Sequence, residues 1–574
     1  MSSKRARCLT RRAMSPASAL SLVGSRQPSI ANAMRAPQIT ARPGKFGRMW
    51  LKLRVHLDAA RRAPRAYLTA LLSRFRGKRL RARAQFAPLL GLSPLAYRLW
   101  QVSDASGDTI PDIDDINRTG PTFVALIDVA TSRAGLDQTL RSLAAEGVPA
   151  LCVGRSAGTT MADAAQQIDW SSGPWLMPIT AGDVLANGAA NAYRHAAAGA
   201  TTQIIYADDD LLDAVGRRAV PHFKPDWNDE LFRHFDYLTG ACIVRADPAD
   251  FETTAGDTAM ANLVTSAIRG GDPIHVRQVL HHRRTRPRPR ILAALDLTGV
   301  SLPPVSVIIP TRNRHDLLET CLRGLARTEY PEFEVIVVDN DSDDPATLAY
   351  FAGLDPARYR ILRHRGAFNF SEINNRAVDA ANGRLLCLLN NDVEMLEPGW
   401  LATLARQAQR DDVGAVGARL LYPDGRVQHA GVILGVGGAA AHAHRLLHPK
   451  EEGYFRRHAL PQFVSAVTGA CLVVLRDRFL AVGGFDAHNF AVAFNDVDLC
   501  LRLNSRGWRT LYEPRATLIH HESVSRGFDR DPVDAARLVA EVAALKALWG
   551  TGDMVDPFHH PALSPFSERF VLRV

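Results

Sequence analysis

VSVIIPTRNR (305–314), VIVVDNDSDD (335–344) and LLCLLNNDVEML (385–396) follow one another in the C-terminal half of the chain. Each starts as a short unbroken apolar run, two of them rich in β-branched residues, and then turns polar. That is the pattern of a strand buried on both faces that ends at a sheet edge. Helical patterns fill the gaps, one reaching Thr328, one over Ala346–Gly353 and one over Ser371–Ala381, with a further strand at Tyr359–Leu362. Strands alternating with helices predict an α/β unit on a largely parallel sheet. In such sheets ligands bind beyond the carboxyl ends of the strands. The residues to inspect for chemistry are therefore Pro310 to Asn313, Asp339 to Ser342 and Asn390 to Glu394.

A carboxylate at a strand end can accept hydrogen bonds from a base or a ribose. A second carboxylate in an N-x-D turn can hold a hard divalent cation through oxygen. Such a cation, bridging a diphosphate, would neutralise the charge developing on a leaving group. One acidic strand end is more often a solvated turn; three in this order carry more information.

Working outward, RRTRPRPR (283–290) combines prolines and arginines and reads as an exposed connector. Before it, strand patterns at Phe123–Val129 and Ala150–Val153 flank a helical pattern at Leu136–Glu146, so a second unit precedes the first-read one. A polar linker, 103–121, separates that unit from the N-terminal head. The 574 residues are 47% hydrophobic and 22% charged, values of a globular chain with more than one folded unit. No window has the ~18 consecutive apolar residues of a membrane-spanning helix. The seven cysteines are scattered without a C-x-x-C pair, which suits reduced thiols and a cytoplasmic setting. The start is too polar for a convincing secretory signal.

The net charge of +10 is uneven: residues 1–84 hold 21 Lys and Arg against the single acid Asp58, so the remainder carries −10. The first residues read as disordered. Arg48–Arg62 and Ala66–Arg83 interleave arginines with Trp50, Leu51, Leu53, Leu68, Leu72 and Phe75, a composition that suits a helix on an anionic membrane surface, a solvated basic tail, or a helix docked on the protein itself. The acidic remainder and the lack of a nucleic-acid module exclude nucleic acid as the expected partner.

Together with TGACLVVL (468–475) and GGFDAHNFAVAFNDVDLCLRLNSRGWRTLYEPRATLIHHESVSRG (483–527), the three opening motifs resemble glycosyltransferase family 2, from about Pro304 to Trp549, and look closest to tandem members encoded with O-antigen and other bacterial surface polysaccharides. The resemblance implies an α/β fold with two GT-A-like nucleotide-sugar-binding units, the N-terminal one degenerate, after a basic, partly helical arm. The boundaries it suggests are 1–102 for the arm, 119–290 and 303–550 for the two units, and 551–574 for a tail. It implies an inverting enzyme that uses a UDP-, dTDP- or GDP-sugar with Mg2+ or Mn2+ and acts on a glycan or lipid-linked glycan, cytoplasmic or peripheral at the inner face of the plasma membrane.

Residue by residue, the resemblance implies that Pro310, Thr311, Asp339 and Asp341 border the nucleotide. Asn375, Ala381 and Gly383 match a helix-to-strand signature in which Ala377 replaces the usual glycine. Asn390, Asn391 and Asp392 stand at the D-x-D position, Asp392 as metal ligand. Asp496, after Asn495, stands at the E-D position and would be the catalytic base; a helix cap is the alternative. His520, with His521 left open, would be a further metal ligand, and Arg526 would meet phosphate. Thr468, Gly469, Gly484 and Asp486 would line the acceptor side. Asp498 reads as a helical partner of Arg502. The first unit carries Tyr206-Ala207-Asp208-Asp209-Asp210, read as either a solvated acidic turn or a cation site. It reads Ile179-Thr180-Ala181-Gly182-Asp183 at its metal turn and lacks an E-D segment, so it is expected to be silent. Gly435 to Gly438 reads as a loop beside the acceptor region, and His442, His444 and His448 as surface histidines. A non-catalytic nucleotide-sugar-binding scaffold and a nucleotidyltransferase are the competing readings; the latter wants a triphosphate loop that is not evident.

Overall fold

The computed structural model describes residues 45–104, 120–129, 133–252, 256, 258–290, 292–521 and 532–574, which lie in one compact unit. The expectation of disorder at the start, most of the 103–121 linker and Arg526 fall outside the described residues.

Two mixed sheets form the body. The first contains β1 (Phe123–Asp128), β2 (Ala150–Val153), β3 (Trp175–Thr180), β4 (Val184–Leu185), β5 (Ile204–Leu212), β6 (Arg218–His222), β7 (Cys242–Val244) and β8 (Ile274–Arg283). Its order is β2-β1-β3-β7-β5-β8-β4, with β6 on β5. The second contains β9 (Val305–Thr311), β10 (Phe333–Asp339), β11 (Tyr359–Arg363), β12 (Leu385–Leu389), β13 (Val393–Met395), β14 (Val413–Leu421), β15 (Val427–His429), β18 (Gln462–Val464), β19 (Cys471–Leu475) and β20 (Arg509–His520); β16 (Val432–Leu434) and β17 (Ala440–His442) make a separate hairpin. Its order is β11-β10-β9-β12-β19-β14-β20-β13.

The two orders superimpose. In each, a parallel trio is followed by an antiparallel strand (β7 or β19), then by a strand antiparallel to that one (β5 or β14), a parallel strand (β8 or β20) and an antiparallel edge strand (β4 or β13). The second sheet adds β11 at its edge. The duplicated α/β fold expected from the sequence is therefore present in strand order and direction. Every residue of β9 and β12 is buried, which is why these strands read as continuous apolar runs rather than as alternations.

The second sheet has one apolar core on each face, the first built on Val307, Ile309, Leu385, Cys387 and Trp400, the other on Ile308, Ile336, Leu386, Leu388 and Phe490. This alternation follows from the period of two along a strand. Gly383 leads into β12 at a point where a Cβ would lie 2.4 Å from the Ser306 backbone nitrogen, so a side chain cannot enter there.

The basic head forms four helices, α1 (Lys45–Arg62), α2 (Pro64–Phe75), α3 (Arg79–Gly91) and α4 (Ala96–Asp104). Leu51, Val55, Ala59, Ala70, Phe86, Leu90 and Leu99 form their shared core, against which Val574 packs. Tyr97 of α4 donates to Asp210 of β5 at 2.5 Å, so this helical head is anchored on the first unit. The helix Pro532–Trp549 packs through Leu545 on the second. Among the described residues no helix is long and apolar enough to cross a membrane.

Candidate functional site

Strand directions assemble the site. β9, β10, β12, β14 and β20 run the same way and β19 runs against them, so the carboxyl ends of the first five and the start of β19 share one edge. That edge gathers Thr311, Asp339, Asn390 to Asp392, Thr468 to Ala470 and His520, drawn from 210 residues of sequence.

On the expected donor side, Asn391 Nδ2 donates to Thr311 Oγ1 at 2.9 Å, tying the β12 turn to the end of β9. Asp339 Oδ1 accepts the Ser342 N–H at 2.9 Å, and Asn313 receives the Asp343 and Asp344 N–H groups on its amide oxygen. Pro310 is buried inside β9, while Asp341 is exposed at a left-handed φ of 58°. Between them sits Asn340, 1% exposed, whose amide oxygen and nitrogen both lack a hydrogen-bond partner. A buried unpaired amide costs about 1–3 kcal/mol per group, and this one adjoins the expected nucleotide border. The sequence reading passed over it because Asn340 stands between two more conspicuous aspartates.

His520 Nδ1 faces Gln428 Oε1 at 2.8 Å. An amide oxygen only accepts, so His520 Nδ1 donates to it. The other ring nitrogen, Nε2, lies 3.1 Å from a carboxylate oxygen of Asp392 and 3.2 Å from the Asn390 side-chain nitrogen Nδ2. A carboxylate and an imidazole nitrogen, donor types that a divalent cation takes, thus converge, with Gln428 orienting the histidine from behind. Of the two histidines left open by the sequence, His520 faces Asp392, whereas His521 faces Glu394 at 3.3 Å.

Asp496 begins the helix Asn495–Asn504. Its Oδ2 accepts the Gly469 N–H at 2.8 Å and its Oδ1 the Val497 N–H at 2.8 Å. Burial pushes its pKa above the ordinary carboxylate value, and those two N–H groups oppose the shift without cancelling it. Part of the residue still reaches solvent. Gly469 precedes Ala470, whose carbonyl accepts the Asn390 N–H at 3.0 Å. Asp496 and the Asn390–Asp392 turn are thereby joined through two consecutive residues at the start of β19. Asp498, two residues on, is buried and committed to Arg502 at 2.7 Å and to the Trp549 indole N–H at 3.0 Å.

The remaining expected residues are supports. The Asn375 amide donates to the Phe485 carbonyl and accepts the Phe485 N–H, both at 2.8 Å, so it clamps the Gly484–Phe485 loop. Asp486 closes a turn by accepting the His488 and Asn489 N–H groups at 3.0 Å. Two further corrections follow. His444 is buried and stacks on Phe570, and His442 meets buried His429 at 2.8 Å, so neither is an ordinary surface histidine. His429 in turn receives the Thr468 N–H at 3.4 Å. The Gly435–Gly438 loop lies against the tail, with Gly437 N–H on the Pro565 carbonyl.

The same edge in the first unit is rewired. Asp183 precedes β4 as Asp392 precedes β13, and His282 pairs with Val184 as His520 pairs with Val393. Thr239-Gly240-Ala241-Cys242 repeats Thr468-Gly469-Ala470-Cys471. Beside Gly469 stands Asp496; beside Gly240 stands the buried Arg283 guanidinium, 2.5 Å from where a Cβ would be. Arg283 also lies 3.8 Å from Asp183 and 3.7 Å from Asp209, while His282 turns to Asp210 at 2.7 Å. An arginine thus fills the place where the second unit keeps a carboxylate.

The acidic run Asp208–Asp210 is not a solvated turn, since all three side chains are buried in β5. Asp209 pairs with the fully buried Lys224 at 3.0 Å and with Arg286, and Asp210 with Arg218. Asp208, His275 and His560 place ligand atoms within 4.8 Å of one another. However, His560 Nδ1 accepts the Ala562 N–H at 3.0 Å, which puts its ring proton on Nε2, 3.0 Å from Asp208. Burial disfavours charge on His275, but Asp208 outweighs it and raises its pKa. The cluster ties the C-terminal tail to β5 through His560.

The Glycosyl transferase family 2 model matches residues 306–477. The chain is 38% identical over 418 residues to "Uncharacterized protein y4gI" of Sinorhizobium fredii, covering 64% of this chain and 46% of that protein. It is 35% identical over 407 residues to "O-antigen biosynthesis protein RfbC" of Myxococcus xanthus, covering 63% of this chain and 31% of that one. It is also 35% identical over 232 residues to "N-acetylglucosaminyl-diphospho-decaprenol L-rhamnosyltransferase" of Mycobacterium tuberculosis, covering 38% of this chain and 74% of that one. The chain thus spans less than half the length of the first two.

Proposed function

The chain belongs to glycosyltransferase family 2, and from that premise we propose that it transfers a sugar, with inversion, from a UDP-, dTDP- or GDP-sugar to a glycan or lipid-linked glycan in bacterial surface-polysaccharide synthesis. The observation that carries the proposal is the link from Asp496 through Gly469 and Ala470 to the Asn390–Asp392 turn at one sheet edge. The similarity to proteins named for O-antigen biosynthesis and for a diphospho-decaprenol rhamnosyltransferase supports the pathway and the acceptor class.

In this reading Thr311, Asp339 and Asn340 hold the nucleotide. Asp392 and His520, with Asn390, hold a divalent cation, which when bound offsets negative charge on the leaving diphosphate. The imidazole nitrogen in that set favours Mn2+ over Mg2+. Asp496 accepts the proton of the acceptor hydroxyl as that oxygen attacks the anomeric carbon from the face opposite the departing nucleotide, which inverts the configuration. Its raised pKa makes it a better base than an exposed carboxylate. Gly469, with no side chain, leaves room beside it for the acceptor. The first unit, its matching place filled by Arg283, serves as scaffold.

Nucleotide release from purified protein, screened across UDP-, dTDP- and GDP-sugars with Mn2+ or chelator, tests the proposal. Metal-dependent release that Asp496→Ala abolishes is expected. No release with any donor and a lipid-linked acceptor, or full rate in the variant, would reject it.

A further inference from the structure

Helix α1 is apolar on two opposite sides. At about 100° per residue, Leu51, Val55 and Ala59 point one way and are buried in the helical core. Phe46, Met49, Trp50, Leu53 and Leu57 cluster about 180° from them, and all five are exposed, Phe46 to 84%. α2 repeats the arrangement, with Ala70 and Ser73 buried and Leu68, Leu72 and Phe75 on the other side, Phe75 exposed to 82%. A solvated helix presents polar residues on its outer face; these two present leucine, phenylalanine, methionine and tryptophan. The flanks are basic. Residues 45–83 contain thirteen Lys and Arg against Asp58 alone, which pairs with Arg62 at 2.9 Å, and the Arg54 guanidinium lies over the Trp50 ring at 4.7 Å.

We propose that the outer faces of α1 and α2 seat the protein on an anionic lipid surface, with the apolar stripes entering the headgroup–acyl boundary and the flanking cations meeting lipid phosphates. A second protein partner would have to match both an apolar stripe and a charge excess of twelve. An anionic bilayer supplies both at once: hydrocarbon beneath, and negative charge at the level of the flanking side chains. The inner core of Leu51, Val55 and Phe86 keeps the helices folded before docking, and Tyr97 fastens them to the first unit. The use of this surface, bringing the second unit to a lipid-linked acceptor, rests on the function proposed above; the docking does not.

The test is cosedimentation of the full chain with phosphatidylcholine vesicles and with vesicles containing anionic phosphatidylglycerol, at low and high salt and without any nucleotide sugar. Three forms are compared: wild type, Trp50→Ser/Leu53→Ser, and Lys52→Gln/Arg54→Gln. Wild type is expected to bind anionic vesicles at least tenfold better than neutral ones, and less so in high salt. The apolar double variant should lose at least tenfold at both salt concentrations, and the charge variant chiefly at low salt, with circular dichroism unchanged in both. Absence of binding to anionic vesicles overturns the inference. So does undiminished binding of the apolar variant, which would assign docking to residues 1–44. A dimer that the apolar variant converts to monomer would likewise overturn it, by identifying a second copy as the occupant. Because no sugar transfer is read, failure here and failure of the catalytic proposal are separate results.

Discussion

Replacing Asp496 with Asn separates the chemistry of the site from its architecture. Both carboxylate oxygens accept a backbone N–H at 2.8 Å, from Gly469 and Val497. Asparagine keeps one acceptor and turns an NH2 group toward the other donor. The variant therefore loses one hydrogen bond to a charged acceptor, about 1.5–3 kcal/mol, and should still fold. The catalytic loss is of another size. Removing a general base costs about 10²–10⁴ in rate, or about 2.7–5.5 kcal/mol in the barrier. Rate should fall in kcat with little change in donor KM, because Asp496 faces the acceptor. The wild-type pH profile adds a signature. Burial raises this pKa above 3.8, so activity should drop as pH falls through the raised value, and that acidic limb should vanish from the residual activity of the variant. Nucleotide-release kinetics from pH 4 to 8, with a thermal melt of each protein, provide both readings. A variant that melts like wild type and keeps more than a third of its kcat refutes the assignment of Asp496 as base.

Gln428→Ala removes the acceptor that orients His520 and should weaken Mn2+ binding about 10–100-fold, measured by titration calorimetry; unchanged affinity would remove His520 from the metal site. Asp209→Asn leaves Lys224 and Arg286 without their buried carboxylate and should destabilise the protein by about 3–5 kcal/mol in denaturant melts, so an alanine triple at Asp208–Asp210 tests folding before it tests catalysis. Burial alone would raise the Glu230 pKa, but His234 and Arg410 outweigh it and hold it at about 2, below its usual 4.5. The stability this gives is complete above pH 4.5 and lost as pH falls toward 2, roughly 3 kcal/mol in all. The stability gap between wild type and Glu230→Gln should shrink across that window, and a constant gap would contradict the shift.

The second sheet was legible because its strands are buried on both faces. The apolar starts of the three motifs, at Val305, Val335 and Leu385, all fall within strands, since a short apolar run of that kind has few other uses. Hidden features depended on residues distant in sequence. The 12-residue β20 is broken as an apolar run by Glu513 and Arg515, whose pairing with each other, joined by Gln407 on Glu513, is a tertiary fact. Arg283 reads as the first residue of an exposed connector, yet it is buried against Gly240. His444 reads as polar surface until Phe570, more than a hundred residues on, covers it. The solvated-turn reading of the acidic run of β5 failed for the same reason: its partners Lys224, Arg286 and His560 come from three other segments. Local pattern gives burial and period; the identity of a long-range partner is not contained in it.

In the proposed function Asp392 and His520 hold a cation at the sheet edge where Asp496 also lies. Crystals soaked with Mn2+ and a nucleoside diphosphate, measured for anomalous scattering, test it most directly. The account predicts a manganese peak bound by Asp392 and His520, a diphosphate against it, and Asp496 across the space where the sugar would lie. A peak at Asp208, His275 and His560 alone, or a diphosphate held away from the Asn390–Asp392 turn, would contradict it.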